Sequence, residues 1–412
     1  MNHTKNQKIA IATCIGFGNH GAEALLRSRI TAIRKHFPNA EFSVLSVYTS
    51  SCQPIEKVEY IQTFGGQREK FKSPKYLLQS AVEGIVWTFE AFRFRLTGTV
   101  SNKEIKKLAE SDIFISTDGD ILGEDYGLLP YFWRLYYLSL GFVLKKPVII
   151  YAEGLGPFKN KFSRFISKKF FNRCAYISVR DKLSFDYVTE LGIKKEVDLV
   201  ADSAFLLEPF NDQNLNYKNP DKKLIGIAVS ELATKYGFSY KDESDSYQGF
   251  LKLMSEIIDW MITELNADII LIPHVVQINR DDYKTAQDIF KLVKNKQAVK
   301  IISKESNARQ LKKIISHCDL LIASRMHAII AGVSSFVPVI GIAYSHKLRG
   351  LFNALNLKTM IDIKDLNWSI TKMIKETIES PEEIKKSLET EIPKMKELAK
   401  IPAEKVAEII KK

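Results

Sequence analysis

Cysteine is scarce and scattered. The 412 residues hold four, Cys14, Cys52, Cys174 and Cys318, with no CxxC pair and no histidine at metal-ligand spacing. That argues against a disulfide framework and a zinc site, and makes a reducing cytoplasm the expected compartment. Cys14, Cys174 and Cys318 sit in apolar surroundings and read as inert core residues, not nucleophiles. Long apolar runs are missing too. The nearest to a membrane span is "GLLPYFWRLYYLSLGFVLKKP" (127–147), which Pro130 and Arg134 interrupt. It reads as a buried helix feeding the strand "PVIIYAE". The first apolar run breaks at Asn19 and His20, short of a signal-peptide core, so no targeting segment is expected.

What is present suits a soluble two-domain protein. Hydrophobic residues are 45% and charged residues 26% of the chain, enough to bury large cores, and the length exceeds one ordinary domain. The formal charge of +12 favours polyanionic partners: nucleic acid, acidic lipid headgroups, or phosphorylated and acidic sugars. The lysines are spread along the whole chain and no nucleic-acid module is visible, so no nucleic-acid partner is expected.

Short β-branched runs alternate with helical patterns throughout. The first series is "KIAIATC", "EFSVLSV", "DIFIST", "PVIIYAE", "AYISVR" and "VDLVA"; the second is "LIGIAVS", "DIILIP", "VKIIS", "DLLIAS" and "VPVIGI". Alternation of this kind predicts an α/β fold of two doubly wound, Rossmann-like parallel sheets facing a cleft. The polar stretch "EPFNDQNLNYKNPDKK" (208–223) separates them, giving domains 1–210 and 222–380. From Pro381 to residue 412 the pattern is a charged, solvated surface helix with a break near Pro402. The segment 76–98 is helical, aromatic and basic at one end. It either packs on the first domain or lies peripherally on a membrane surface.

Candidate chemistry falls after strands. "GFGNHGAEALL" (16–26) offers Asn19 and Gly21 at a helix start suited to a phosphate or carboxylate. Its spacing is not that of a dinucleotide fingerprint. "STDGDILGEDYG" crowds Asp118 and other carboxylates around Gly119, a loop for sugar hydroxyls or simply a solvated turn; no metal is expected there. "YAEGLGP" ends its strand with Glu153, "VRDKLSF" places Arg180 at a strand end, and "IPHVVQINRDD" does the same for His274. An arginine so placed can grip an anion bidentately, or merely pair with a neighbouring carboxylate. In "SRMHAIIAGVSSFVPVIGIAY", Arg325 and His327 stand just past a buried strand, where open α/β sheets keep their ligands.

In order, "GNHGAEALL", "DGDILGED", "YAEGLGPF", "SVRDKLSFDYVTELG", "ADSAFLL", "IPH" and, most specifically, "SRMHAIIAGVSSFVPVIGIAYSHK" resemble the polysaccharide pyruvyl transferase family, whose members are similar to GT-B glycosyltransferases in architecture. The resemblance implies transfer of pyruvate from phosphoenolpyruvate to a sugar or lipid-linked glycan as a ketal, with phosphate released. It implies an acceptor-side first domain, a donor-side second domain and no cofactor. Arg325 and Arg180 would hold the donor anion and His327 would be the general acid. Asn19, Gly21, Asp118, Gly119, Glu153, His274, Tyr344 and Lys347 complete the expected binding set. Ala22, Asp118 with Asp120, and Ser335 with Phe336 depart from the residues common in relatives, the first two departures bearing on the acceptor. A nucleotide-sugar glycosyltransferase of the same architecture would need a ribose-gripping carboxylate near Arg325, and residues 325–350 contain no Asp or Glu. A glycan-binding relative without catalysis is the remaining reading.

Overall fold

The computed structural model describes residues 6–14, 18–49, 52, 54–63, 73–117, 119–120, 122–236, 238–239, 245–277 and 280–412. The chain forms two compact units. The first comprises Met1–Phe17, Leu25–Ser203 and Glu397–Lys412; the second comprises Gly18–Ala24 and Ala204–Lys396.

In the first unit, strands β1 (Lys8–Cys14), β2 (Glu41–Ser46), β3 (Val58–Gln62), β4 (Ile113–Ser116), β5 (Val148–Glu153), β6 (Tyr176–Val179) and β7 (Asp198–Leu199) form one sheet in the order β3-β2-β1-β4-β5-β6-β7. All its pairings are parallel. Helices α1 (His20–Arg34), α2 (Pro74–Thr97), α3 (Lys103–Glu110), α4 (Leu128–Val143), α5 (Lys161–Phe171) and α6 (Lys182–Glu190) connect them, the first turn of α1 belonging to the second unit. Strands β4 and β5 are buried at every position, the continuous apolar pattern of a sheet covered on both faces.

The second unit repeats the plan. Strands β8 (Lys223–Ala228), β9 (Ala267–Leu271), β12 (Val299–Ile301), β13 (Leu320–Ala323), β14 (Val339–Ala343) and β15 (Met360–Asp362) give the parallel order β12-β9-β8-β13-β14-β15. A small antiparallel hairpin, β10 (Val276–Gln277) with β11 (Arg280–Asp281), follows β9. Helices α7 (Ser246–Glu264), α8 (Asp282–Leu292), α9 (Ala308–Ile315), α10 (Met326–Val333), α11 (His346–Ala354) and α12 (Ile370–Glu379) complete it. Strand order reverses between β1 and β4 in one sheet and between β8 and β13 in the other, the positions where such sheets open a crevice for ligands.

The last helix, α13 (Glu382–Lys411), corrects one expectation. It runs unbroken through Pro402 and buries Leu388, Ile392, Ala399, Ala403 and Val406. An apolar stripe at that spacing anchors the helix and offsets the backbone hydrogen bond that proline removes.

A buried cation fixes the first sheet. Arg29 on α1 has no exposed surface. It donates from Nη1 to Glu153 Oε1 at 2.7 Å and to the Ser116 carbonyl at 3.0 Å, from Nη2 to the Ala152 carbonyl, and from Nε to Ser203 Oγ. Removing one partner of such a pair strands the other charge in a dry interior. Arg29→Met should therefore cost about 3–5 kcal/mol in urea unfolding, and adding Glu153→Met should restore much of the loss. Additive losses in the double variant would show that the two residues do not act as a pair.

Candidate active site

The second unit gathers most of the expected residues around the end of β13. Backbone pairing begins the assembly. Val276 N donates to Gly18 O at 2.6 Å, His20 N donates to His274 O at 3.1 Å, and Asn19 bridges Val275. Gly18 makes this possible: its φ is +106°, and a Cβ there would meet the Val276 carbonyl oxygen at 2.9 Å. Asn19 caps α1, its Oδ1 accepting from Gly21 N and Ala22 N. The strap sets the His20 and His274 rings edge to face, 6.2 Å apart.

Arg325 is the N-cap residue of α10. Its guanidinium forks onto Asp282, Nε to Oδ2 at 2.9 Å and Nη2 to Oδ1 at 2.6 Å. The pair is deeply placed, with side chains 12% and 1% exposed. Burial works against the Arg325 charge, but Asp282 and then Tyr344 outweigh it and hold the guanidinium above its ordinary value. Asp282 Oδ2 also accepts from Val275 N at 2.9 Å and His274 N at 3.3 Å, so one carboxylate fixes both the arginine and the histidine loop. Tyr344, past β14, stacks on Tyr236 with centroids 5.2 Å apart. Lys347 lies half-buried in the first turn of α11.

His327, half-buried in the first turn of α10, packs against Gly21. A methyl group at Gly21 would overlap the imidazole at Nδ1. His274 is 5% exposed, and among the described residues its Nδ1 finds no hydrogen-bond partner. Burial first, then His20, His327 and Arg325, holds His274 well below its ordinary 6.5. His20 Nδ1 lies 3.4 Å from Glu23 Oε2, which accepts from Ala308 N at the start of α9. Three imidazoles and a guanidinium thus converge, with Asp282 bound to the guanidinium and Glu23 placed between His20 and Ala308 N.

The remaining expected residues lie in the first unit. Arg180 is buried and donates from Nη1 to Asp202 Oδ2 at 2.6 Å. Burial opposes its charge, and Asp202 foremost keeps it above its ordinary value. Gly119 lies against Arg180 with φ +84°. Glu153, expected to meet a substrate, is fully buried on Arg29 and Ser116 Oγ, which gives it a structural task. Asp118 lies outside the described residues. Sequence reasoning passed over His20, Glu23 and Asp282, although all three stand in motifs it quoted. Among the described residues no group of three His, Cys, Asp or Glu side chains is placed to hold a metal ion.

The family model for polysaccharide pyruvyl transferases matches residues 19–346, from the cap of α1 to the start of α11. The chain belongs to the polysaccharide pyruvyl transferase family. Its match thus takes in both His20 and Arg325. This family member is 23% identical over 389 residues to the amylovoran biosynthesis protein AmsJ of Erwinia amylovora, covering 90% of this chain and 92% of that one. Solved structures with a similar fold include the UDP-GlcNAc 2-epimerase of Neisseria meningitidis bound to UDP-GlcNAc, with TM-score 0.59, 12% identity, and 98% and 100% of the chains covered. A variant of Os79 from O. sativa in complex with UDP gives TM-score 0.61 at 9% identity over the same shares. At such identities the likeness establishes a GT-B-like fold of two Rossmann-like domains.

The position of His274 sets a pH dependence. A base held below its ordinary value stays neutral in the folded chain, while the unfolded chain takes up its proton as pH falls below 6.5. The associated stability is present above that value and is lost as pH falls, by up to ~1.4 kcal/mol per pH unit. Urea unfolding at mildly alkaline and mildly acidic pH should show wild type losing about 1 kcal/mol more than His274→Gln across the range. Parallel losses would contradict the neutral assignment.

Proposed function

We propose that this pyruvyl transferase takes its pyruvyl group from phosphoenolpyruvate and sets it as a ketal on a sugar of a cell-surface polysaccharide or its precursor, releasing phosphate. The observation that carries the reading is the convergence on His274 of His20, His327 and Arg325, with Asp282 and Glu23 already engaged. Such a cluster offers imidazole N–H groups and a guanidinium to an anion, and phosphoenolpyruvate brings a carboxylate and a phosphate. The first-turn amides of α10 point the same way, because among the described residues its N-cap residue makes no side-chain cap bond. The name of AmsJ, a biosynthesis protein for amylovoran, supports an exopolysaccharide acceptor.

In this mechanism His327 delivers a proton to the methylene carbon, leaving an oxocarbenium-like centre at C2. A sugar hydroxyl forms the first C–O bond there and loses its proton to an imidazole. The bond from C2 to the phosphate oxygen breaks, and a second hydroxyl closes the ketal. Of the two hydroxyl protons, one makes good the proton given to the methyl group and the other leaves with phosphate. Asp282 fixes the Arg325 fork so that it meets the donor without reorganising. Tyr344 and Lys347 stand by as further polar contacts to the donor. In the first unit Arg180 is the candidate for another anionic contact, with Asp202 its competitor.

Phosphate release from phosphoenolpyruvate, with a glycan acceptor and a chelator present, tests this directly. His327→Asn should lower turnover roughly a hundred- to ten-thousand-fold while donor affinity changes far less. Gly21→Ala should act in the same direction with the fold intact, since its methyl group claims the space of the His327 ring. Full turnover in His327→Asn would refute the assignment. UDP release from a nucleotide sugar, with phosphoenolpyruvate untouched, would replace it with glycosyl transfer.

A further inference from the structure

The first unit carries a second feature, independent of the histidine cluster. Helix α2 is firmly delimited: Ser73 caps it, Pro74 opens it, and Gly98 closes it in the left-handed conformation. One edge packs inward through Tyr76, Ser80, Trp87 and Ala91, with Trp87 edge-on to Tyr137 of α4 at 6.0 Å. The opposite edge is apolar as well. Leu78, Val82, Ile85, Phe89, Phe92 and Leu96 follow helical spacing and are 48–74% exposed. They make a stripe of roughly 27 Å along the helix.

Isolated exposed apolar residues are ordinary, but a continuous stripe beside an apolar groove is not. Ile85, Phe89 and Phe92 form one wall of a groove of about 690 Å³, with Phe132, Trp133 and Tyr136 of α4 opposite. Phe132 in turn meets Phe162 of α5, centroids 5.7 Å apart. Phe162 and Phe165 are themselves 62% and 54% exposed, so the apolar surface continues across three helices.

Charge rims this surface. Helix α5 carries Lys161, Arg164, Lys168 and Lys169 and no acidic residue. Lys169 Nζ sits 4.3 Å from the centre of the Phe165 ring, and Arg95 lies over Phe92 at 5.6 Å. Exposed apolar side chains interleaved with basic ones, and Trp and Tyr at the groove, suit the headgroup layer of an anionic bilayer. Among the described residues no helix is long and apolar enough to cross a membrane, so the contact is one of lying on the surface. We infer that the outer face of α2, with the adjoining faces of α4 and α5, docks this protein on an anionic lipid surface.

Cosedimentation with phosphatidylcholine vesicles, with and without phosphatidylglycerol, tests the inference. Binding to the anionic vesicles should be roughly tenfold tighter or more, and should weaken as salt rises. Brominated acyl chains should quench tryptophan fluorescence, and Trp133→Phe should remove most of that quenching. Ile85→Asp with Phe89→Asp should abolish binding, both sites being solvent-facing. Arg95→Gln with Lys169→Gln should remove the preference for anionic lipid without touching the apolar stripe. Equal binding to neutral vesicles, no binding at low salt, or full binding by the aspartate variant would overturn the inference. So would a dimer in sedimentation equilibrium that this variant dissociates, because the stripe would then be a protein interface.

Discussion

Asp282 ties three parts of the second unit's candidate site together. Its carboxylate, 1% exposed, accepts two bonds from the Arg325 fork and two from the backbone of His274 and Val275. Burying a carboxylate is costly unless its lone pairs are filled, and here four donors fill them. The same bonds fix the end of β13 to the loop after β9, across the reversal in strand order. That loop then holds the segment from Gly18 to His20 through backbone pairing. One ion pair thus sets the positions of Arg325, His274 and His20 together.

The charge arithmetic follows from this arrangement. Asp282 takes two of the five N–H donors of a guanidinium, so Arg325 is fixed without being saturated. Glu23 is likewise turned to Ala308 N and His20. His274 stays neutral first because it is buried, with His20, His327 and the Arg325 guanidinium further disfavouring its charge. A nearby anionic ligand favours a proton on an imidazole, which is why the proposed donor and this cluster suit each other. The first unit follows another logic: Arg29 and Glu153 neutralise one another where no solvent reaches, and their pairing serves the sheet.

Much of this was legible in the sequence. Every strand run named from β-branched residues overlaps a strand, because parallel strands buried on both faces are written as unbroken apolar runs. The missed strands are the sheet edges β3 and β15 and the two-residue hairpin strands β10 and β11. In β3 only Ile61 is buried, and β15 has three residues, none fully buried. Pro402 suggested a helix break where long-range packing of Leu388, Ile392 and Val406 prevails. In the site, Arg325 and His327 stood out because they end a buried strand and precede an uncharged run. Glu153 looked similar, but its partner Arg29 lies 124 positions away, and Asp282 is 43 positions from Arg325. Pairings at such separations leave no local pattern, so sequence could place these residues at strand ends without deciding which ones are already spoken for.

The central claim is that the imidazoles around Arg325 form the donor site. Nuclear magnetic resonance of ring-labelled histidines, titrated with phosphoenolpyruvate, addresses it without needing the acceptor. The account predicts that the His20, His274 and His327 resonances move together and saturate, while those of His36 and His317 stay in place. Saturable phosphoenolpyruvate binding that leaves the first three resonances unmoved would contradict it.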